Sequence, residues 1–185
     1  MRRLLTILLL AAGIAPVRAM PCQEAKTGLL FPESIGTLNF KDAVVFEKTA
    51  PGAGTGFYYV STAGSAVFNV YNANLPVIPI DASSPLWIQQ LQNCAKTLMA
   101  EQAAGRSHDV KVLQPREMLS ISGQPFLHAS MGFEKQDGPQ VVHFFLTACK
   151  NNFVRIQYTY PRSAAAEEEQ NLQSLHAALA ALFAH

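Results

Sequence analysis

Three local clusters carry residue types that do chemistry. Gly52-Ala53-Gly54-Thr55-Gly56 has the glycine density of a phosphate loop. Such a loop needs its backbone N–H groups at a helix N-terminus. Here Phe57-Tyr58-Tyr59-Val60 follows, which reads as a strand. The stretch is therefore expected to be a strand connection in which glycine supplies positive φ. Ser107-His108-Asp109 places three catalytic residue types side by side. Sequence neighbours point in different directions, so adjacency does not make a triad. Ser122-Gly123 lacks the sharp GxSxG elbow that exposes a nucleophilic serine. Glu101 and the Glu167-Glu168-Glu169 run would need a cleft around them for acid–base work. They read as solvated helix faces.

Five histidines, at 108, 128, 143, 176 and 185, and three cysteines, at 22, 94 and 149, complete the chemical inventory. An odd cysteine count leaves at least one thiol over, or pairs it with a second chain. Of the three single pairings, Cys94–Cys149 is favoured, because both lie in expected regular structure while Cys22 lies near the start of the mature chain. The alternative is that they are small buried hydrophobes. No motif calls for a metal or a cofactor.

Two helices and a series of strands must position these groups. Ser84 is a good N-cap and Pro85 suits the first helical position. Trp87, Leu91, Cys94 and Leu98 then recur at helical spacing, and Gly105 is a natural stop. A second helix is expected after Ser163, with Leu172, Leu175, Leu179, Leu182 and Phe183 as its buried stripe. Glu167 to Glu169 sit near its first turn, where the dipole favours negative charge. Ile35–Phe40, Ala43–Glu47, Gly56–Val60, Ala66–Tyr71 and Val110–Leu113 read as short strands. Residues 72–82 form a proline-containing crossover. Phe126–Glu134, Val141–Cys149 and Phe153–Tyr160 read as three strands in a row, with turns at Asp137-Gly138 and around Asn151.

The alternation in these last three strands predicts a register. One face collects Leu127, Ala129, Met131 and Phe133, then Val142, Phe144, Leu146 and Ala148, then Val154, Ile156, Tyr158 and Tyr160. The other face is mixed, with rows His128–Thr147–Arg155, Ser130–Phe145–Gln157 and Gly132–His143–Thr159. In this register His128 and His143 stand four residues apart along the strands, roughly 14 Å at ~3.4 Å per residue, too far to share an ion. Cys149 and His143 are six residues apart on one strand, too far for a nucleophile and its base. Arg155 beside His128 could receive an anionic group, with Phe145 or Phe153 packing an apolar one. His128, His143, Phe145 and Arg155 are thus the candidate ligand or partner residues. The competing reading is that a second layer covers this face.

The order of strands, helix, strands, helix predicts one α+β domain with a largely antiparallel sheet. Phe31-Pro32-Glu33 leads into short strands, and Ala50-Pro51-Gly52-Ala53-Gly54 precedes Phe57-Tyr58-Tyr59-Val60. Phe144-Phe145-Leu146-Thr147 and Phe153-Val154-Arg155-Ile156 then form a late hairpin before the last helix. This succession resembles the PsbP-like fold, the α/β/α sandwich of the extrinsic photosystem protein and its bacterial relatives of unknown role. The resemblance spans most of the mature chain and carries over no functional residue. It implies a non-catalytic, accessory or binding role.

Residues 1–19 read as a cleavable signal peptide: Arg2 and Arg3, an apolar stretch from Leu4 to Ala12, and Val17-Arg18-Ala19 before the cut. The apolar stretch is shorter than the ~20 residues that span a bilayer. An uncleaved anchor is the lesser alternative. The mature chain, residues 20–185, is expected to be periplasmic or secreted, monomeric, and without a transmembrane segment. The signal holds three of the fourteen Lys and Arg, leaving eleven against thirteen Asp and Glu, a formal charge of −2. Near-neutrality gives no reason to expect nucleic acid as a partner. The expected function is an exported accessory or binding domain that contacts an envelope protein or a small ligand. The alternatives are an envelope hydrolase with an unrecognised site, or a structural subunit linked through Cys22.

Overall fold

The computed structural model describes residues 22–184; the signal-peptide reading of residues 1–19 lies outside them. Ten strands and two helices run in the order β1 (Cys22–Gln23), β2 (Leu30–Phe31), β3 (Ser34–Ile35), β4 (Leu38–Val45), β5 (Thr55–Val60), β6 (Ser65–Tyr71), α1 (Pro85–Ala103), β7 (His108–Ile121), β8 (Gln124–Lys135), β9 (Gly138–Cys149), β10 (Asn152–Pro161) and α2 (Ala165–Leu182). Strands β3 to β10 form one sheet in the order β3-β4-β5-β6-β10-β9-β8-β7, and the small hairpin β1-β2 stands apart. Every pairing is antiparallel. The α+β class is therefore as expected.

Each face of the sheet has its own core. Trp87, Leu91, Cys94 and Leu98 of α1 pack on Leu127, Met131, Phe133, Val142, Phe144, Leu146 and Phe153. Leu175 and Leu179 of α2 pack on Phe57, Phe68, Phe126, Phe145, Ile156 and Tyr158 of the opposite face. The result is an α/β/α sandwich. Helix α1 follows its local signals closely: the Ser84 hydroxyl accepts from the Leu86 N–H at 3.2 Å, and the four expected stripe residues are its buried ones. The preceding crossover is fastened at two adjacent residues, Ile78 and Pro79. Trp87 Nε1 donates to the Pro79 carbonyl at 2.8 Å, and the Asn151 side chain accepts from the Ile78 N–H at 2.7 Å.

The structure departs from the sequence reading in several places; the expected strands Ile35–Phe40 and Ala43–Glu47, for one, are β3 and the continuous β4, parted at Gly36-Thr37. The β8–β9 turn is Gln136-Asp137, because Lys135 pairs with Gly138. Every cross-strand partner therefore shifts by two, and the faces keep their parity. The β9–β10 turn is the two-residue Lys150-Asn151, with φ of 44° and 60° and Cys149 opposite Asn152. Both central residues are left-handed, as a type I′ hairpin requires. A two-residue turn in place of a three-residue one flips β10. Val154, Ile156, Tyr158 and Tyr160 face α2, and Phe153, Arg155, Gln157 and Thr159 face α1. Strand β7 is a 14-residue edge strand rather than the short Val110–Leu113, with register breaks after His108, Val112 and Gln114. Glu168, finally, is not on a solvated face: it is 2 % exposed at the foot of α2.

The favoured Cys94–Cys149 disulfide is excluded by this geometry. Cys94 belongs to the α1 layer and Cys149 packs on the α2 core, with the sheet between them. All three cysteines are free thiols. Burial pushes the Cys94 and Cys149 thiols above the ordinary cysteine value.

Candidate functional site

The four sequence-predicted residues divide between the two faces. His128, His143 and Phe145 come together under α2. Arg155 points the other way, under α1, so the expected His128–Arg155 row does not exist; His128 stands opposite Phe145, and Phe145 opposite Ile156.

Under α2 the corrected register places His143 opposite Ser130, only two residues along from the His128 row. The expected separation of the two histidines is overturned: His128 Nε2 lies 3.0 Å from His143 Nδ1. The imidazoles stack with centroids 5.3 Å apart, and His128 stacks on Phe145 at 4.5 Å. His128 Nδ1 also reaches Glu117 Oε1 at 2.8 Å, and His143 Nε2 reaches the Tyr160 hydroxyl at 3.1 Å. A carboxylate can only accept. So His128 Nδ1–H donates to Glu117, His143 Nδ1–H donates to His128 Nε2, and Tyr160 O–H donates to His143 Nε2. With both rings neutral, every donation runs from Tyr160 toward Glu117. Desolvation, helped by neighbouring His128 and His176, pushes His143 down to about 4, which keeps it neutral at pH 7. His176 of α2 sets its ring edge-on to Phe145, and burial lowers its basicity too. This chain can relay a proton along itself. It serves as a satisfied polar seam across β7, β8, β9 and β10. Among the described residues no group of three or more His, Cys, Asp or Glu is arranged to hold a metal ion.

The glycine-rich loop holds an anion of its own. Glu47 Oε2 accepts the Gly54 N–H at 2.9 Å, and this bond is the main reason its carboxyl lies below the ordinary value. At Gly54, with φ of 65°, a Cβ would meet the Val70 carbonyl oxygen at 1.8 Å.

Under α1 lies a cleft of about 160 Å³, lined by Cys94, Leu98, Glu101, Phe144, Arg155, Gln157 and Thr159 among others. Alternation along β10 delivers Arg155, Gln157 and Thr159 to one side of it. Arg155 Nη1 lies 3.9 Å from Cys94 Sγ, and its guanidinium carbon is 5.7 Å from the Tyr71 ring centre. Its Nε is buried without a hydrogen-bond partner. Among the described residues Glu47 pairs with Lys26 and Glu117 with the His128 ring, and no carboxylate lies within ion-pair distance of Arg155. Burial pushes the Tyr71 hydroxyl up to about 12, against the opposing pull of Arg155. Gln157 and Thr159 were legible as polar neighbours of Arg155 on one strand face. Glu101 was read as a solvated surface, and nothing local in the sequence marked Glu117.

A second, larger groove of about 550 Å³ runs between the β1–β2 hairpin and the end of α2, past Leu30, Pro32, Ile80, Cys149, Leu182 and Phe183.

No protein-family model matches the chain, and no curated protein does. Solved structures do. A cyanobacterial PsbP (CyanoP) from Synechocystis sp. PCC 6803 superposes with a TM-score of 0.53 at 11 % identity, over 92 % of this chain and 96 % of that one. PA94, a protein of unknown function from Pseudomonas aeruginosa, matches at a TM-score of 0.41 and 11 % identity, over 80 % of this chain and 85 % of its own. The Saccharomyces cerevisiae Ran-binding protein Mog1p matches at 0.40 and 11 %, over 83 % and 85 %. The chain thus has an α+β sandwich of the PsbP-like fold, as its sequence resemblance implied. At this identity the likeness extends to the fold alone.

Proposed function

We propose that the mature chain is an exported accessory domain that works by binding, and that the cleft under α1 is where it makes contact. The observation that carries this reading is Arg155. A guanidinium with a buried Nε and no carboxylate partner is costly unless an anion comes from elsewhere. The cleft it lines is open to a small ligand or to the side chain of a partner. The signal-like residues 1–19 support the export half of the reading. No helix of the described residues is long and apolar enough to cross a membrane.

The test is Arg155→Ala in the mature protein, with thermal stability measured beside co-purification from the native envelope. Retained stability with a lost partner or ligand supports the reading. A fall in stability with an unchanged set of co-purified species makes Arg155 a structural residue and removes the cleft as the contact site.

A further inference from the structure

The chemistry of the cleft narrows what it can take, given the binding reading of Arg155. The guanidinium offers five N–H donors in a planar fork that matches the two oxygens of a carboxylate. Within the protein it meets one soft sulfur acceptor and one aromatic face. Charge then limits the ligand. Arg155 sits beside Cys94, and Glu101 follows seven residues later on α1, about 10 Å along the helix at ~1.5 Å per residue. A carboxylate at the far end of so short a cleft opposes a second negative charge on the ligand. Lys135 also lines the cleft, its ammonium 5.5 Å from the Phe133 ring centre; formally it offsets Glu101, so the cleft's net charge is that of Arg155 and a monoanion balances it. Size limits it further. At about 160 Å³ the cleft suits a small ligand. Leu98 and Phe144 are among the apolar residues of its lining.

We propose that the cleft under α1 binds a short-chain monocarboxylate, with its oxygens on the Arg155 fork and its apolar chain against Leu98 and Phe144. Gln157 lies two residues from Arg155 on the same face of β10 and is placed to hydrogen-bond the ligand.

The buried Nε–H of Arg155 makes this directly observable. In ¹⁵N-labelled mature protein at pH 7, sodium propionate and sodium phosphate are titrated separately at matched ionic strength. Arg155→Gln identifies the Nε–H resonance by its disappearance. Propionate is expected to shift that resonance and the Gln157 side-chain amide saturably in the millimolar range, while phosphate moves neither. In Arg155→Gln the Gln157 amide loses its response. An equal response to phosphate overturns the monocarboxylate class, as does no response to propionate. The comparison of the two anions on wild type stands even if Arg155→Gln folds poorly. If propionate fails while Arg155→Ala still loses its envelope partner, the carboxylate is wrong and the binding reading stands. If neither effect is seen, both fall.

Discussion

Mild acid should destabilise the protein through His143. An unfolded imidazole takes up its proton near 6.5, but His143 in the fold resists protonation to about 4. Between these values the unfolded chain binds more protons than the native one, so stability falls as pH falls. The slope is at most ~1.4 kcal/mol per pH unit for one site. From pH 6.5 to 4.5 the loss is about 2–2.5 kcal/mol, a large part of a typical ~5–15 kcal/mol total. His176, also held below its ordinary value, adds to the loss in the same direction. Glu47 and Asp81, whose carboxyls lie below their ordinary values, contribute only at lower pH. The assay is urea unfolding at half-unit pH steps, followed by fluorescence of Trp87, the single tryptophan, which is fully buried. His143→Gln keeps a hydrogen-bonding side chain and removes the titration. Its neutral-pH stability can differ, but its slope between pH 6.5 and 4.5 should be shallower by about 1 kcal/mol per unit. Parallel curves for wild type and variant would refute the argument.

Two further outcomes follow from buried groups. Glu168 accepts hydrogen bonds from the Tyr158 hydroxyl and from Asn171 Nδ2; Glu168→Ala leaves the Tyr158 hydroxyl buried and unpaired and leaves Asn171 Nδ2 with Thr37 Oγ1 alone, which should cost ~1–3 kcal/mol in chemical denaturation, and a loss under about 0.5 kcal/mol would contradict the role given to this network. Alkylation in denaturant without reductant should label three thiols per chain, and in the folded protein Cys94 should be the slowest to react; two unlabelled cysteines would mean that a disulfide forms after all.

What the sequence reveals here depends on how local each determinant is. Helix α1 was readable because its cap, its proline and its stripe all lie within twenty residues. The faces of β8 and β9 were readable because the two-residue shift in their pairing preserves parity. The face of β10 was not. It hangs on Lys150 adopting positive φ, which a lysine does not advertise, and one residue there turns Arg155 from the α2 side to the α1 side. The two-residue shift between β8 and β9, by contrast, brought His128 and His143 into contact against expectation. Glu117 was invisible because Pro115 and a run of polar residues disguise β7 as loop. Glu168 was misread because three consecutive acids look like a solvated surface, and its partners Tyr158, Asn171 and, through Asn171, Thr37 come from three parts of the chain.

The uneven pairing of β7 has a consequence for life in a crowded compartment. A sheet of eight strands ends in two exposed rims, and each rim is a template on which another chain could lay down a strand. At one rim the two-residue β3 covers only Leu38 and Asn39, and among the described residues the rest of β4 has no strand partner on that side, its ladder with β5 bulging near Phe40. The other is long, and carries Val112 and Met118 in the open, but its breaks leave Glu117–Ile121 as its longest unbroken ladder. Pro115 removes one more donor from the line. A strand arriving from a neighbouring molecule at β7 would fall out of step within a few residues, so this rim resists growing by accretion where no other protein caps it.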